Sequence, residues 1–208
     1  MINSLDYQTL QRTAERRRSL YDLSADLPIT TEELHGLLRD ILRTTPSGFN
    51  SQTARLVLLS GAEHRQAWDV IQRCVQPLTE PAAFEKTVAK MDGFRRAAGT
   101  ILFFEDGEIL RDLEQRFPKF ANNVPLFSAH TSAMHQYAAW TQLAALNIGA
   151  NLQHYNPVAD DALKAAFNLP QAWELHAQMV FGGILSPTGK PREQKRPVEE
   201  RLVVLGEK

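Results

Sequence analysis

The sequence predicts an α+β or α/β protein, and three observations carry that expectation. Candidate strands are few, each is short and rich in apolar residues, and long stretches of helical periodicity separate them. With 208 residues, 43% of them hydrophobic, the chain is long enough for one substantial core and short for two. No internal repeat, low-complexity block or linker divides it, so residues 1–208 are expected to form a single domain.

The first helix is expected from about Leu5 to Arg17, where Leu5, Leu10 and Ala14 give a modest apolar stripe and the basic run Arg16-Arg17-Arg18 closes it. After Pro28, Thr30 and Glu33 have capping-box spacing, and Leu34, Leu37, Leu38, Ile41 and Leu42 share one helical face. Pro46-Ser47-Gly48 stops that helix. Arg55 to Ser60 reads as a strand, Glu63 to Gln76 as a helix whose inward face is Val70, Ile71, Cys74 and Val75, and Pro81 opens a helix reaching about Arg96. Gly99 to Phe104 is apolar throughout, as a strand buried on both faces must be, and Glu105 and Asp106 are expected to end it. Gly107 to Val124 reads either as a lid or as a helical excursion. From about Leu126 to Leu146 runs the longest helical pattern, with Met134, Tyr137, Ala138 and Leu143 spaced for burial and small residues that would let another helix come close. A strand at Ala150–Gln153, a helix from Asp160 to Phe167 and a strand at Glu174–Phe181 follow. A mobile tail, Ser186–Pro197, is expected before a last strand at Arg201–Leu205.

Composition excludes several classes of function. Lys and Arg number 23 against 24 Asp and Glu, a formal net charge of -1, so no global basic field would hold a nucleic acid. No apolar run approaches the roughly 20 residues that cross a bilayer, and the polar start lacks the order of a signal peptide. One cysteine, Cys74, excludes an intramolecular disulfide framework; a cytoplasmic protein is the expectation. Neither G-x-x-x-x-G-K-[ST] nor G-x-G-x-x-G occurs, and H-E-x-x-H and G-x-S-x-G are also missing. His130 and His135 are five residues apart, on different faces of a helix, so a shared metal is not expected. This pattern favours chemistry supplied by an organic cofactor.

Three constellations stand out. In Arg17-Arg18-Ser19-Leu20-Tyr21, a planar guanidinium and a hydroxyl suit phosphate oxygens, although arginines at a helix end also complement its dipole. In Pro46-Ser47-Gly48-Phe49-Asn50-Ser51-Gln52, with Arg55 just beyond, amides and hydroxyls suit the rim of a heterocycle beside an apolar wall; an ordinary helix-to-strand loop has the same composition. The third, Gly149-Ala150-Asn151-Leu152-Gln153-His154-Tyr155-Asn156-Pro157, packs Gln, His, Tyr and Asn in a row after a strand, which capping by Asn156 explains only in part.

In this order and at these separations the three motifs, together with Gly99-Thr-Ile-Leu-Phe-Phe-Glu-Asp and Gln178-Met-Val-Phe-Gly182, resemble the nitroreductase family, in particular its short branch typified by the fungal fatty-acid-repression nitroreductase and its bacterial relatives. The resemblance implies an α+β fold around a mixed or antiparallel sheet flanked by helices, an intertwined homodimer, and FMN at the subunit interface. It assigns the phosphate to Arg17 and Ser19 and the ribityl-pyrimidine side to Arg18. Tyr21 stands where many members carry Lys or Arg, a cation suited to reduced-flavin charge. The loop with Ser47, Phe49, Asn50 and Gln52 would come from the partner subunit, Gln153 and His154 would offer main-chain N–H groups to the flavin ring, and Arg192 and Lys195 of the tail would meet the phosphate. The implied activity is ping-pong transfer of hydride from NADH or NADPH, through FMN, to a small electron-poor acceptor such as a nitroaromatic or quinone. Alternatives within the resemblance are a flavin-binding regulatory protein of stress or lipid responses, and a different reaction on the same flavin.

Overall fold

The computed structural model describes residues 4–187 and 193–206. Among the described residues the helices are α1 (Leu5–Arg16), α2 (Thr31–Thr44), α3 (Gly61–Val75), α4 (Pro81–Arg95), α5 (Gly107–Arg116), α6 (Val124–Ala145) and α7 (Asp160–Ala166). The strands are β1 (Leu23–Ser24), β2 (Ala54–Ser60), β3 (Gly99–Asp106), β4 (Ile148–Gln153) and β5 (Trp173–Ile184). The class is α+β, as the resemblance implied. Every strand pair is antiparallel: β2 with β3, β3 with β5, and β4 and the short β1 with β5. Among the described residues the one parallel element is an isolated bridge between Ser19 and Ala150.

β3 shows why its sequence is apolar without interruption. Leu102 and Phe104 pack into one cluster with Trp68, Ile71, Met91 and Phe94 of α3 and α4. Ile101 and Phe103 point the other way, into a cluster with Leu34, Leu38 and Ile41 of α2 and Leu143 of α6. Successive side chains of a strand face opposite sides, and helices cover both, so apolar residues are favoured at every position. Each such large side chain contributes about 1.5–3 kcal/mol. The register slips between Phe103 and Phe104, leaving His176 of β5 as the extra residue.

The start of α2 has its capping box: Thr30 N–H donates to Glu33 Oε2 at 2.7 Å and Glu33 N–H to Thr30 Oγ1 at 3.2 Å. β1 can lie close against β5 because Gly182 has no Cβ, which would collide with the Ser24 carbonyl.

Three expectations need correction, and one open alternative is decided. Met134 and Tyr137 are exposed; the buried face of α6 is Val124, Ser128, Thr131, Ser132, His135, Ala139 and Leu143. That helix buries hydroxyls and an imidazole, so apolarity picks the wrong stripe. Gly107–Val124 is a helical excursion, α5 followed by a 3-10 turn at Pro118–Asn123, with Leu110, Leu113 and Val124 packed around Phe117. Glu105 does not end β3 at the surface: the strand runs on to Asp106, and Glu105 is wholly buried. Arg201–Leu205 forms no strand, and Leu202 to Leu205 are exposed. A run of apolar residues becomes a strand only with an edge to pair with, and none of the described sheet takes it.

Candidate functional site

The first and third motifs meet. α1 ends at Arg16 and Arg17 turns the chain into extended backbone. Leu20 N–H then donates to Ala150 O at 3.0 Å, and Asn151 Nδ2 to Leu20 O at 2.8 Å. Gln153 Nε2 in turn donates to Asn151 Oδ1 at 2.8 Å, and Trp140 Nε1 of α6 to Arg18 O at 3.3 Å. The Arg17 guanidinium lies 4.4 Å over the Trp140 ring, a stacking contact that orients its planar donor fork. Ser19 and Tyr21 therefore sit beside the strand that delivers Gln153 and His154.

A ladder of amides holds the turn after β4 from below. Gln178, fully buried on β5, accepts from Tyr155 N–H at 2.9 Å and donates to Asn156 Oδ1 at 3.0 Å. Asn156 Nδ2 reaches Leu175 O at 2.7 Å and Asp160 Oδ1 at 2.9 Å. Gln153 is buried and spent on Asn151, whereas His154 is exposed. Burial raises the Tyr155 phenol above its ordinary range, and the nearby Tyr21 hydroxyl adds to the shift. Arg18 lines a small cavity with Leu20, Trp140, Asn147 and Ile148.

The second motif is built elsewhere on the fold. Phe49, Asn50 and Gln52 all have positive φ, at 56°, 52° and 51°, a conformation uncommon for residues other than glycine. Gln52 N–H donates to Ser47 Oγ at 2.9 Å, and Gln52 Nε2 to Asn50 Oδ1 at 3.3 Å. Phe49, half exposed, stacks on Phe117 at 4.7 Å with Phe120 and Phe127 around it. Arg55 Nη1 clamps Gln52 O and Ala54 O, both at 3.0 Å, while Nη2 pairs with Asp106 at 2.9 Å. Ser47, Gln52, Arg55 and His135 line a cavity of about 210 Å³.

Residues 14–183 match the profile of the Nitroreductase family. The chain belongs to the nitroreductase family. Nitroreductase FRM2 from Saccharomyces cerevisiae is 35% identical over 180 residues, 86% of this chain and 88% of its own. Nitroreductase CinD from Lactococcus lactis, solved with nicotinic acid, superposes with a TM-score of 0.82 at 39% identity over 94% of this chain and 99% of its own. A nitroreductase with bound FMN from Desulfitobacterium hafniense has the same fold, with a TM-score of 0.70 at 14% identity over 99% of this chain and 100% of its own.

In this nitroreductase Lys195 is exposed, and Arg192 lies outside the described residues. Asn151 lies within the third motif and Gln178 opens another of the motifs, but the sequence assigns neither of them, nor Trp140, a role in the site. The signal for Asn151 and Gln178 is an amide placed inside a buried strand, where burial requires a partner. Glu105 is also unexpected: neither carboxylate oxygen nor the Thr53 hydroxyl has a hydrogen-bond partner at acceptable geometry among the described residues. Burial pushes its pKa up to about 7; Thr53 and Arg55 nearby oppose the shift and Glu174 adds to it. No helix among the described residues is long and apolar enough to cross a membrane.

Proposed function

We propose that this nitroreductase is an FMN-dependent oxidoreductase that passes hydride from NADH or NADPH to a small electron-poor acceptor, as a cytoplasmic homodimer of one-domain subunits. The observation that carries the reading is the stitching of Arg17–Tyr21 onto β4 beside Gln153 and His154. It gathers a guanidinium, a hydroxyl and a main-chain turn into one donor set suited to a phosphate and a planar heterocycle. FMN-bound relatives of the same fold support the choice of cofactor. CinD in complex with 4-nitrophenol, at 35% identity, supports a nitroaromatic as laboratory acceptor.

Bound FMN would supply the redox chemistry, accepting and passing on two electrons. The chain's part is to bind, orient and keep water out. Arg17 and Ser19 hold the phosphate, with Arg18 beside the ribityl chain and Lys195 and Arg192 as further cations from the tail. Gln153 and His154 act through their main chain, which the Gln178 ladder keeps rigid. Tyr21 provides a hydroxyl, and no charge, where relatives of the family place a cation. Ser47, Phe49, Asn50 and Gln52 reach the cofactor of the partner subunit. A second copy is supported by apolar surface on α6, where exposed Met134 and Tyr137 lie beside Pro46, and by the exposed run Leu202–Leu205.

The purified protein should be yellow and release FMN on denaturation. Its flavin absorbance should bleach when NADH or NADPH is added without oxygen and return with a nitroaromatic. A colourless protein that takes up no added FMN would refute the proposal.

A further inference from the structure

The loop carrying Asn50 and Gln52 is fixed in shape by its own hydrogen bonds and in place by aromatic rings. Asn50 N–H donates to Ser47 O and Ser51 N–H to Gly48 O, both at 3.0 Å, and Gln52 N–H to Ser47 Oγ at 2.9 Å. Each of these bonds begins and ends within residues 47–52. Arg55 ties the far end of the loop to the sheet through Gln52 O and Asp106. At the near end Phe49 takes a positive φ of 56°, a conformation that persists only where the surroundings over-determine it. What surrounds its side chain is aromatic.

Phe117 stacks on Phe49 with ring centroids 4.7 Å apart and planes within 8° of parallel. Phe120 and Phe127 meet the same ring at 5.9 Å and 5.8 Å, inclined by 55° and 75°. The stacked pair shares the broadest contact, and such a pair stabilises beyond the apolar area it buries. A Cβ on Gly48 would press on Phe127 Cβ at 3.1 Å, so the glycine lets the loop come down onto these rings. Phe117 is also where α5 ends: its N–H donates to Leu113 O at 2.9 Å, and its carbonyl accepts from Phe120 N–H at 2.8 Å. Its ring packs with Leu110, Leu113 and Val124, a cluster apart from the two on the faces of the sheet. Phe117 therefore joins the core of the α5 excursion directly to the loop.

We propose that Phe117 is a positioning residue for the Asn50–Gln52 loop, acting through its stack on Phe49. With the stack in place the left-handed backbone is seated, and Asn50 and Gln52 are held ready for FMN. Without it Phe49, already 51% exposed, keeps only inclined neighbours, and the loop is free to move about the Arg55 tie. This rests on the reading that the loop meets FMN, and it adds that the excursion from Gly107 to Val124 holds that contact in place without touching the cofactor.

The test compares the full chain with Phe117→Leu, which keeps an apolar side chain for Leu110, Leu113 and Val124, and with Phe117→Tyr, which keeps the ring. FMN affinity, measured by flavin fluorescence, should fall about threefold to tenfold in Phe117→Leu, as expected for the loss of one aromatic pair, and stay at the wild-type value in Phe117→Tyr. Without FMN, the Ser51 and Gln52 amides should exchange hydrogen faster in Phe117→Leu alone. In a Phe49→Leu background the Phe117→Leu change should have no further effect on FMN affinity, because the stack is already gone. Equal losses in the two Phe117 variants, additive losses in the double variant, or unchanged loop exchange overturn the proposal. Should Phe117→Leu fail to fold, NMR of the wild type decides: ring-to-ring contacts between Phe49 and Phe117 with slow exchange at Ser51 support it, and the absence of either overturns it. A chain that binds no FMN refutes the proposed function, while the exchange results still judge Phe117.

Discussion

Replacing Thr100 by valine isolates one buried polar cluster of the core. Thr100, His64 and Trp68 are all essentially unexposed. His64 Nε2 lies 2.9 Å from Phe94 O, which can only accept, so this nitrogen carries the proton. Nδ1 is then an acceptor, 2.9 Å from Thr100 Oγ1, and the hydroxyl must donate to it while accepting from Trp68 Nε1 at 2.9 Å. Valine keeps the volume and leaves both an indole N–H and an imidazole nitrogen unpaired. At about 1–3 kcal/mol for each orphaned group, the loss should be roughly 2–6 kcal/mol, a large share of a typical total of about 5–15 kcal/mol. Urea unfolding followed by tryptophan fluorescence at neutral pH measures it; a loss below about 1 kcal/mol would refute the hydrogen-bond assignment. The same site sets an acid limit. Burial lowers the His64 pKa from 6.5 to about 4, so the unfolded chain binds more protons than the folded one in that interval. The contribution is full above 6.5 and is lost as pH falls towards 4, by at most about 3.5 kcal/mol at about 1.4 kcal/mol per unit.

Three further outcomes can be checked. Arg17→Ala should weaken FMN binding about tenfold to a hundredfold by removing a charge-assisted phosphate contact; unchanged affinity in a fluorescence titration would remove Arg17 from the site. Asn151→Leu leaves the buried Leu20 carbonyl without its donor and should destabilise by about 1–3 kcal/mol, with faster exchange of the Leu20 amide as its local signature; unchanged exchange there would show that the asparagine does not hold the segment. Thr30→Ala removes one arm of the α2 capping box and should cost about 1 kcal/mol, read as a lowered urea midpoint without a changed slope.

The parts that were legible in the sequence are those governed by neighbours along the chain. The Thr30–Glu33 box closes within one turn, and both of its bonds are present. The unbroken apolar run of β3 announced a strand covered on both faces, and both clusters are there. The α6 face was misread because the burial of Ser128, Thr131 and His135 depends on what the sheet presents to them, which no periodicity of apolar residues records. The strand expected at Arg201–Leu205 failed for a related reason: propensity is local, but pairing needs an edge.

The motifs show the same division. Residue order and spacing were enough to determine the family and to nominate Arg17, Ser19, Gln153 and His154, because those features are properties of the chain itself. Only the tertiary structure decided that Leu20 and Ala150, 130 positions apart, would share a hydrogen bond. It also decided that Asn151 and Gln178 would be the buried supports of the site, and that Glu105 would end buried inside the protein. Burial and long-range pairing are set by the whole packed assembly, and a carboxylate that reads as a strand end becomes buried only once helices and sheet have closed around it.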